Sequence, residues 1–147
     1  NKSMRIPLSK DEEKNLLDAA QNARENSYSP YSKFKVGAAV LTEDNHIFAG
    51  TNIENASYGL TVCAERNAIF AAVGAGKRRF RALALITQKL PGLTFNSPCG
   101  ACRQVMSEFM APDTPIYIAV LNGTKRVAYK KQLREIMPYP FDKFTEK

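Results

Sequence analysis

Three cysteines are the only thiols in this chain of 147 residues, and their spacing is that of a metal site. Cys99 and Cys102 stand in Pro98-Cys99-Gly100-Ala101-Cys102, and Cys63 lies upstream in Cys63-Ala64-Glu65. Two intervening residues let both sulfurs of the pair turn toward one point where a loop enters a helix. Three thiolates leave a tetrahedral zinc one ligand short. Structural zinc is normally closed by four protein ligands, whereas catalytic zinc takes three and leaves the fourth position to water. The sequence leaves that choice open. His46 is the only histidine and so the one nitrogen ligand available. Between Asn45 and Ile47 it reads instead as a surface residue at a strand start.

An open site needs a proton carrier. Glu65 falls two residues after a cysteine, in the first turn of a predicted helix. From there a carboxylate can take a proton from an activated water and pass it to a substrate nitrogen without binding the metal. Standing alone, the same glutamate would be read as a complement to the helix dipole. Three thiolates also make a zinc site net negative, which weakens its power to acidify water. Arg66 and Arg103 follow the cysteines, and guanidinium donors to sulfur would draw that charge off. Helices starting near Cys63 and Cys99, with Thr61 and Ser97 as candidate caps, would point their positive ends at the metal and favour thiolate over thiol.

The rest of the chain supplies the elements that hold these residues. Ser9-Lys10-Asp11-Glu12 has the capping-box pattern, and Leu16, Leu17, Ala20 and Ala23 recur at helical spacing, so a helix is expected over 10–26. Residues 33–41 read as a strand with Phe34, Val36, Ala38 and Val40 on one face, and 46–50 return as its hairpin partner. Residues 52–59 are too small and polar for a core element and read as a working loop. A helix is expected from 62 to about 75, ended by Gly74 and Gly76. The cations of Lys77-Arg78-Arg79-Phe80-Arg81 would complement its C-terminal end. The apolar run 82–86 reads as a strand covered on both faces. A helix over 98–110 follows, then a buried strand over 116–121, a hairpin turn at Asn122-Gly123, a return strand over 126–129 and a short helix over 131–137. This order predicts an α/β fold, a three-layer α/β/α sandwich with a mixed five-stranded sheet.

Composition sets further bounds. The length fits one domain, spanning 1–147 with a core of about 11–141. No stretch reaches the ~20 apolar residues of a membrane span. No apolar run follows Arg5, so no secretory leader is expected. An odd number of cysteines argues against a disulfide framework and for reduced thiols on a metal in the cytoplasm. The formal net charge is +7. Without a long basic run or an aromatic-interleaved patch, it reads as a solvated basic surface, with no obligatory nucleic-acid partner.

Beyond the zinc pattern, several stretches resemble the cytidine deaminase family of the small, homotetrameric, three-cysteine type. They are residues 30–39, Asn52-Ile53-Glu54-Asn55-Ala56-Ser57-Tyr58, Cys63-Ala64-Glu65-Arg66, residues 97–105 and Glu135-Ile136-Met137-Pro138-Tyr139-Pro140-Phe141. The resemblance covers nearly the whole chain. It implies one zinc on Cys63, Cys99 and Cys102 and a proton shuttle at Glu65, as in zinc deaminases generally. It further implies substrate contacts at Phe34, Asn52, Ile53, Glu54, Ala64 and Ser97. Asn52 and Glu54 would hold the ribose hydroxyls, Phe34 would pack on the pyrimidine, and the backbone of Ala64 and Ser97 would meet the base edge. Phe141 would reach a neighbouring subunit's site, and Ala56 and Tyr58 would lie near a subunit boundary. The implied reaction is hydrolytic deamination at C4 of cytidine and 2′-deoxycytidine, a step of pyrimidine salvage. The 89–96 loop is rather long for the pattern, and the basic character is not the family's.

Two rivals remain in view. An aminoacyl-nucleoside antibiotic deaminase would share fold and zinc site. A structural-zinc RNA-binding module would explain the charge, but it needs a fourth ligand and gives Asn52, Glu54 and Glu65 nothing to do.

Overall fold

The computed structural model describes residues 6–144. Residues 1–5, where the absence of a leader was at issue, and 145–147 lie outside that range. Helix α1 spans Lys10–Arg24 and carries the expected reciprocal cap: Glu12 N–H donates to Ser9 Oγ (3.1 Å) and Ser9 N–H to Glu12 Oε1 (2.9 Å). Strands β1 (Gly37–Thr42) and β2 (Ile47–Thr51) form the opening hairpin. Helix α2 (Ala64–Gly74), strand β3 (Phe80–Gln88) and helix α3 (Gly100–Phe109) follow, then strands β4 (Pro115–Asn122) and β5 (Lys125–Gln132) and a single turn α4 (Leu133–Ile136). The strands form one five-stranded sheet in the order β2-β1-β3-β4-β5. Only β3 and β4 run parallel; the other neighbours are antiparallel.

Alternation along the strands divides the core in two. Ala39, Leu41, Ala82, Ala84 and Ile86 meet Leu16, Leu17 and Ala20 of α1. Ala38, Val40, Leu83 and Leu85 meet Ala68, Ile69, Met106 and Leu133 on the opposite side, where α2, α3 and α4 pack. The predicted layers are therefore present, and the parallel pair β3–β4 is buried on both faces, as its uninterrupted apolar runs require.

Several boundaries differ from the sequence reading, each for a physical reason. β1 begins at Gly37 and not at Lys33, because Lys33 takes a left-handed backbone (φ 60°) that no strand accommodates. β3 begins earlier, at Phe80. An irregularity opposite Leu41/Thr42 turns Arg81 toward α1, where its Nη1 meets Glu12 Oε2 at 2.8 Å. Arg81 is thus a strand residue and not a helix-end cation. The dipole role falls to Arg78, whose Nη1 donates to the Val73 carbonyl at 2.8 Å. β5 runs on to Gln132 and takes residues assigned to the last helix.

The α1–β1 contact is close enough to demand a glycine. A Cβ on Gly37 would lie 1.9 Å from the Ala20 carbonyl oxygen, a backbone atom that cannot move aside. Gly37→Ala is expected to destabilise the fold by at least about 2 kcal/mol. Gly59→Ala, with nothing within 4 Å, serves as the control. Thermal melts compare them, and equal melting temperatures would contradict this packing.

Candidate active site

Helices α2 and α3 both begin at a cysteine. Cys63 and Cys99 occupy the N-cap positions in extended backbone, and neither sulfur accepts a capping bond from the backbone N–H groups of its helix. The caps expected at Thr61 and Ser97 are not used as caps. Thr61 Oγ1 accepts from Asn55 N–H (3.1 Å) and Ser97 Oγ from Arg103 Nη2 (2.6 Å). The Cys63 and Cys99 sulfurs themselves therefore stand at the positive helix ends. Cys102 lies in the first turn of α3 and is fully buried, Cys63 is half-buried and Cys99 is exposed. The cluster is therefore anchored in the core at one sulfur and open at another.

The three sulfurs lie within 4.8 Å of one another, with Cys63 Sγ 3.7 Å from Cys99 Sγ. A tetrahedron with Zn–S bonds of about 2.3 Å has edges of ~3.8 Å. The donor set and its spacing thus fit zinc. Among the described residues no fourth histidine, cysteine or carboxylate joins the group. His46 is exposed, with Nδ1 3.3 Å from Asp44 Oδ2.

The two arginines behave differently. Arg66 Nη2 donates to Cys63 Sγ at 3.4 Å, as expected, and its Nε is buried without a hydrogen-bond partner. Arg103 meets oxygen and not sulfur. Its Nε donates to the Pro98 carbonyl (2.7 Å) and its Nη1 to the Ile136 carbonyl (2.6 Å), in addition to the Ser97 bond. The expected Arg103–thiolate contact is thereby replaced by a clamp that ties the approach to Cys99 to the last residue of α4. The guanidinium points back along the loop, where carbonyls are the nearer acceptors.

Electrostatics follow from this packing. Hydrogen bonding from Cys102, aided by Arg66 and Cys99 and opposed by burial, pulls the Cys63 thiol down to about 5. The Cys102 thiol moves up, first because it is the partner that keeps its proton for Cys63, then through burial. Glu65, 4% exposed, is pushed up to about 7, mainly by burial and further by the Cys63 charge. Its own backbone N–H and Cys102 pull the other way.

A second group of residues is delivered by an isolated bridge. Ile53 and Val62 exchange both backbone hydrogen bonds at 3.0 Å, so antiparallel register sets Asn52 level with Cys63 and Glu54 level with Thr61. Asn52 is buried and holds the preceding turn. Its Oδ1 accepts from Ser27 Oγ (2.5 Å) and Val36 N–H (3.0 Å), and its Nδ2 donates to the Phe34 carbonyl (2.8 Å). This pinning is why 34–36 is not strand, and it fixes the half-buried Phe34. The Glu54 carboxylate accepts from the backbone N–H groups of Tyr31 (3.0 Å) and Ser32 (3.1 Å) and from the Ser32 hydroxyl. These donors, the hydroxyl first, hold its acid constant below the usual range. Ala64, fully buried, opens α2 beside Cys63, and Ser97 is exposed.

With this geometry in place, residues 10–118 match the family model for the cytidine and deoxycytidylate deaminase zinc-binding region. The chain belongs to that deaminase family. It is 50% identical over 108 residues to a cytidine deaminase of Sporosarcina psychrophila, covering 74% of this chain and 77% of the relative. It is 31% identical over 115 residues to a blasticidin-S deaminase of Bacillus cereus, covering 75% and 79%. A solved cytidine deaminase structure from Burkholderia pseudomallei is 42% identical and superimposes with a TM-score of 0.79, covering 87% of this chain and 98% of that one.

The three cysteines expected to hold zinc form one cluster, Glu65 lies against Cys102 at its edge, and Asn52, Ile53 and Glu54 run alongside it through the Ile53–Val62 bridge. Ala56, Tyr58 and Phe141 do not join it within one chain; all three are exposed, Tyr58 at 79% and Phe141 at 64%. Tyr31 and Ser32 were not singled out from the sequence. The available signal was a serine two residues before Phe34, the type that bends a turn by bonding nearby backbone. Phe34 N–H indeed donates to Ser32 Oγ at 3.0 Å.

Proposed function

We propose that the chain, acting as one zinc-dependent domain over residues 1–147, hydrolytically deaminates cytidine and 2′-deoxycytidine to uridine and 2′-deoxyuridine in pyrimidine salvage. The observation that carries this reading is a buried glutamate two residues past the first of three clustered cysteine sulfurs, at two helix N-termini. Membership of the deaminase family and likeness to proteins named cytidine deaminase support it. Cys63, Cys99 and Cys102 hold the ion, which when bound supplies the Lewis acidity that makes water a nucleophile at neutral pH.

The chain's own residues do the rest. Glu65 carries a proton to N3 of the pyrimidine and then assists departure of the C4 amine as ammonia. Burial, which disfavours the charged carboxylate, suits that exchange because it brings the acid constant up from the ordinary carboxylate range toward neutral pH. Phe34 packs on the base, and the backbone of Ala64 and Ser97 meets its edge. Glu54 and Asn52 meet the ribose hydroxyls, and Ile53, bridged to Val62, holds the segment that presents them. Glu54→Ala is expected to raise KM for cytidine by about tenfold or more with a smaller change in kcat, because a charged hydrogen bond to substrate is removed. Unchanged KM in steady-state kinetics would sink the ribose assignment.

Arg66 offsets the thiolate charge. Arg66→Gln is expected to keep zinc at purification yet lose about 10–100-fold in turnover or in metal affinity. Metal titration alongside kinetics checks it, and wild-type values in both would show that the Cys63 contact is incidental.

Exposure of Ile53, Tyr58 and Leu60 within one short segment supports a homotetramer whose subunits meet near Ala56, Tyr58 and Phe141. Reduced thiols on a metal support a cytoplasmic setting. No helix among the described residues is long and apolar enough to cross a membrane. The structural-zinc RNA-binding reading requires a fourth protein ligand, and none joins the cluster among the described residues.

The test is incubation of purified, zinc-containing protein with cytidine, 2′-deoxycytidine and blasticidin S in parallel. Ultraviolet spectra and released ammonia report each conversion. Conversion of the two simple nucleosides is expected. Turnover of blasticidin S alone would instead favour the antibiotic deaminase.

A further inference from the structure

We infer that Ser32 is a specificity-determining residue: by filling an acceptor position of Glu54 it sets how the site treats a missing 2′-hydroxyl. This rests on the proposed contact of Glu54 with ribose. A carboxylate offers about four lone-pair directions. Glu54 Oε1 uses two of them, on the N–H groups of Tyr31 and Ser32. Oε2 accepts the Ser32 hydroxyl. That hydroxyl itself accepts from Phe34 N–H, so its oxygen is held from one side while its proton is directed to Glu54.

The backbone makes the arrangement firm. Lys33 adopts φ 60° and its N–H donates to the Ser29 carbonyl at 3.0 Å. Tyr28 N–H donates to the Asn52 carbonyl (3.1 Å) and Glu54 N–H to the Tyr28 carbonyl (2.9 Å). The turn carrying Ser32 is thereby stitched to the segment carrying Glu54. Both residues border an open depression of about 250 Å³ with Tyr31, Asn55, Tyr58 and Thr61, space for a sugar-sized group.

One acceptor direction remains on Oε2. Ribose presents two adjacent hydroxyls and 2′-deoxyribose only one of that pair. With a single direction free, Glu54 takes one hydroxyl and leaves the second unread, so the two sugars are treated alike at this carboxylate. Removing the Ser32 hydroxyl frees a second direction and lets the carboxylate take both hydroxyls of a vicinal diol, a gain that only cytidine can collect.

Steady-state kinetics of the zinc-containing wild type and of Ser32→Ala, Ser32→Val and Ser32→Thr, with cytidine and 2′-deoxycytidine, test this. The ratio of kcat/KM for cytidine over deoxycytidine is expected to rise about tenfold in Ser32→Ala and Ser32→Val, mainly through a lower KM for cytidine. Ser32→Thr, which restores the hydroxyl, is expected to keep the wild-type ratio. Loss of the acceptor for Phe34 N–H acts on both substrates and cancels in the ratio. An unchanged ratio in folded Ser32→Ala or Ser32→Val, or an equal shift in Ser32→Thr, overturns the inference while the deaminase reading stands. If Ser32→Ala does not fold, the Val and Thr variants decide. Wild-type protein that turns over neither nucleoside overturns the deaminase reading and this inference with it.

Discussion

Glu65→Gln is expected to retain stoichiometric zinc and to lose about 10²–10⁴ in turnover of cytidine. Glu65 is 4% exposed and packed in the first turn of α2, so an isosteric amide preserves the volume it fills. It also removes a group that burial disfavours in its charged form, so the fold is not weakened by the change. The sulfur cluster that could hold a metal ion consists of Cys63, Cys99 and Cys102, and the Glu65 carboxylate does not belong to it. The substitution thus separates proton transfer from metal binding and from stability. Metal analysis, a thermal melt and kinetics on one preparation check it. Near-normal turnover would refute the proton-transfer assignment, and loss of zinc would make Glu65 a ligand.

Cys102→Ser is expected to abolish zinc retention and turnover together and to lower the melting temperature. Cys102 is the fully buried sulfur and packs in the same apolar cluster as Met106 and Ala68. A serine there brings a shorter and more polar side chain into the core and leaves two thiolates, too few to hold the ion. A ligand that binds only the folded state at about a thousand times its dissociation constant contributes ~4 kcal/mol. For a chain of this size that corresponds to a shift on the order of 10 °C. A chelator should lower the wild-type melting temperature toward that of the variant and leave the variant unmoved. Full zinc content in Cys102→Ser would show that the cluster is not the metal site.

The sequence made the zinc cluster and the layered sheet legible because both are written in residue type and period. Cysteines at 63, 99 and 102 name a ligand set directly, and the unbroken apolar runs of β3 and β4 imply burial on both faces. Backbone geometry was less legible. Nothing in residue type marks Lys33 as left-handed, so the apolar pattern extends the strand through 34–36, which Asn52 in fact pins as irregular chain. Arg103 illustrates the same limit. Its place beside a ligand suggested sulfur, while the carbonyls of Pro98 and Ile136, one of them 33 residues away in sequence, are what it meets. Asn52 and Glu54 stand out in the sequence as polar residues of a loop too small and polar for a core element. That Tyr31 and Ser32 already occupy three acceptor positions of Glu54 is a tertiary fact without a local pattern.

The most direct test of the whole account measures zinc content and ammonia release from cytidine in the same purified sample. The account predicts stoichiometric zinc and conversion of cytidine to uridine with an equal yield of ammonia. Stoichiometric zinc with no conversion of cytidine or 2′-deoxycytidine would contradict it.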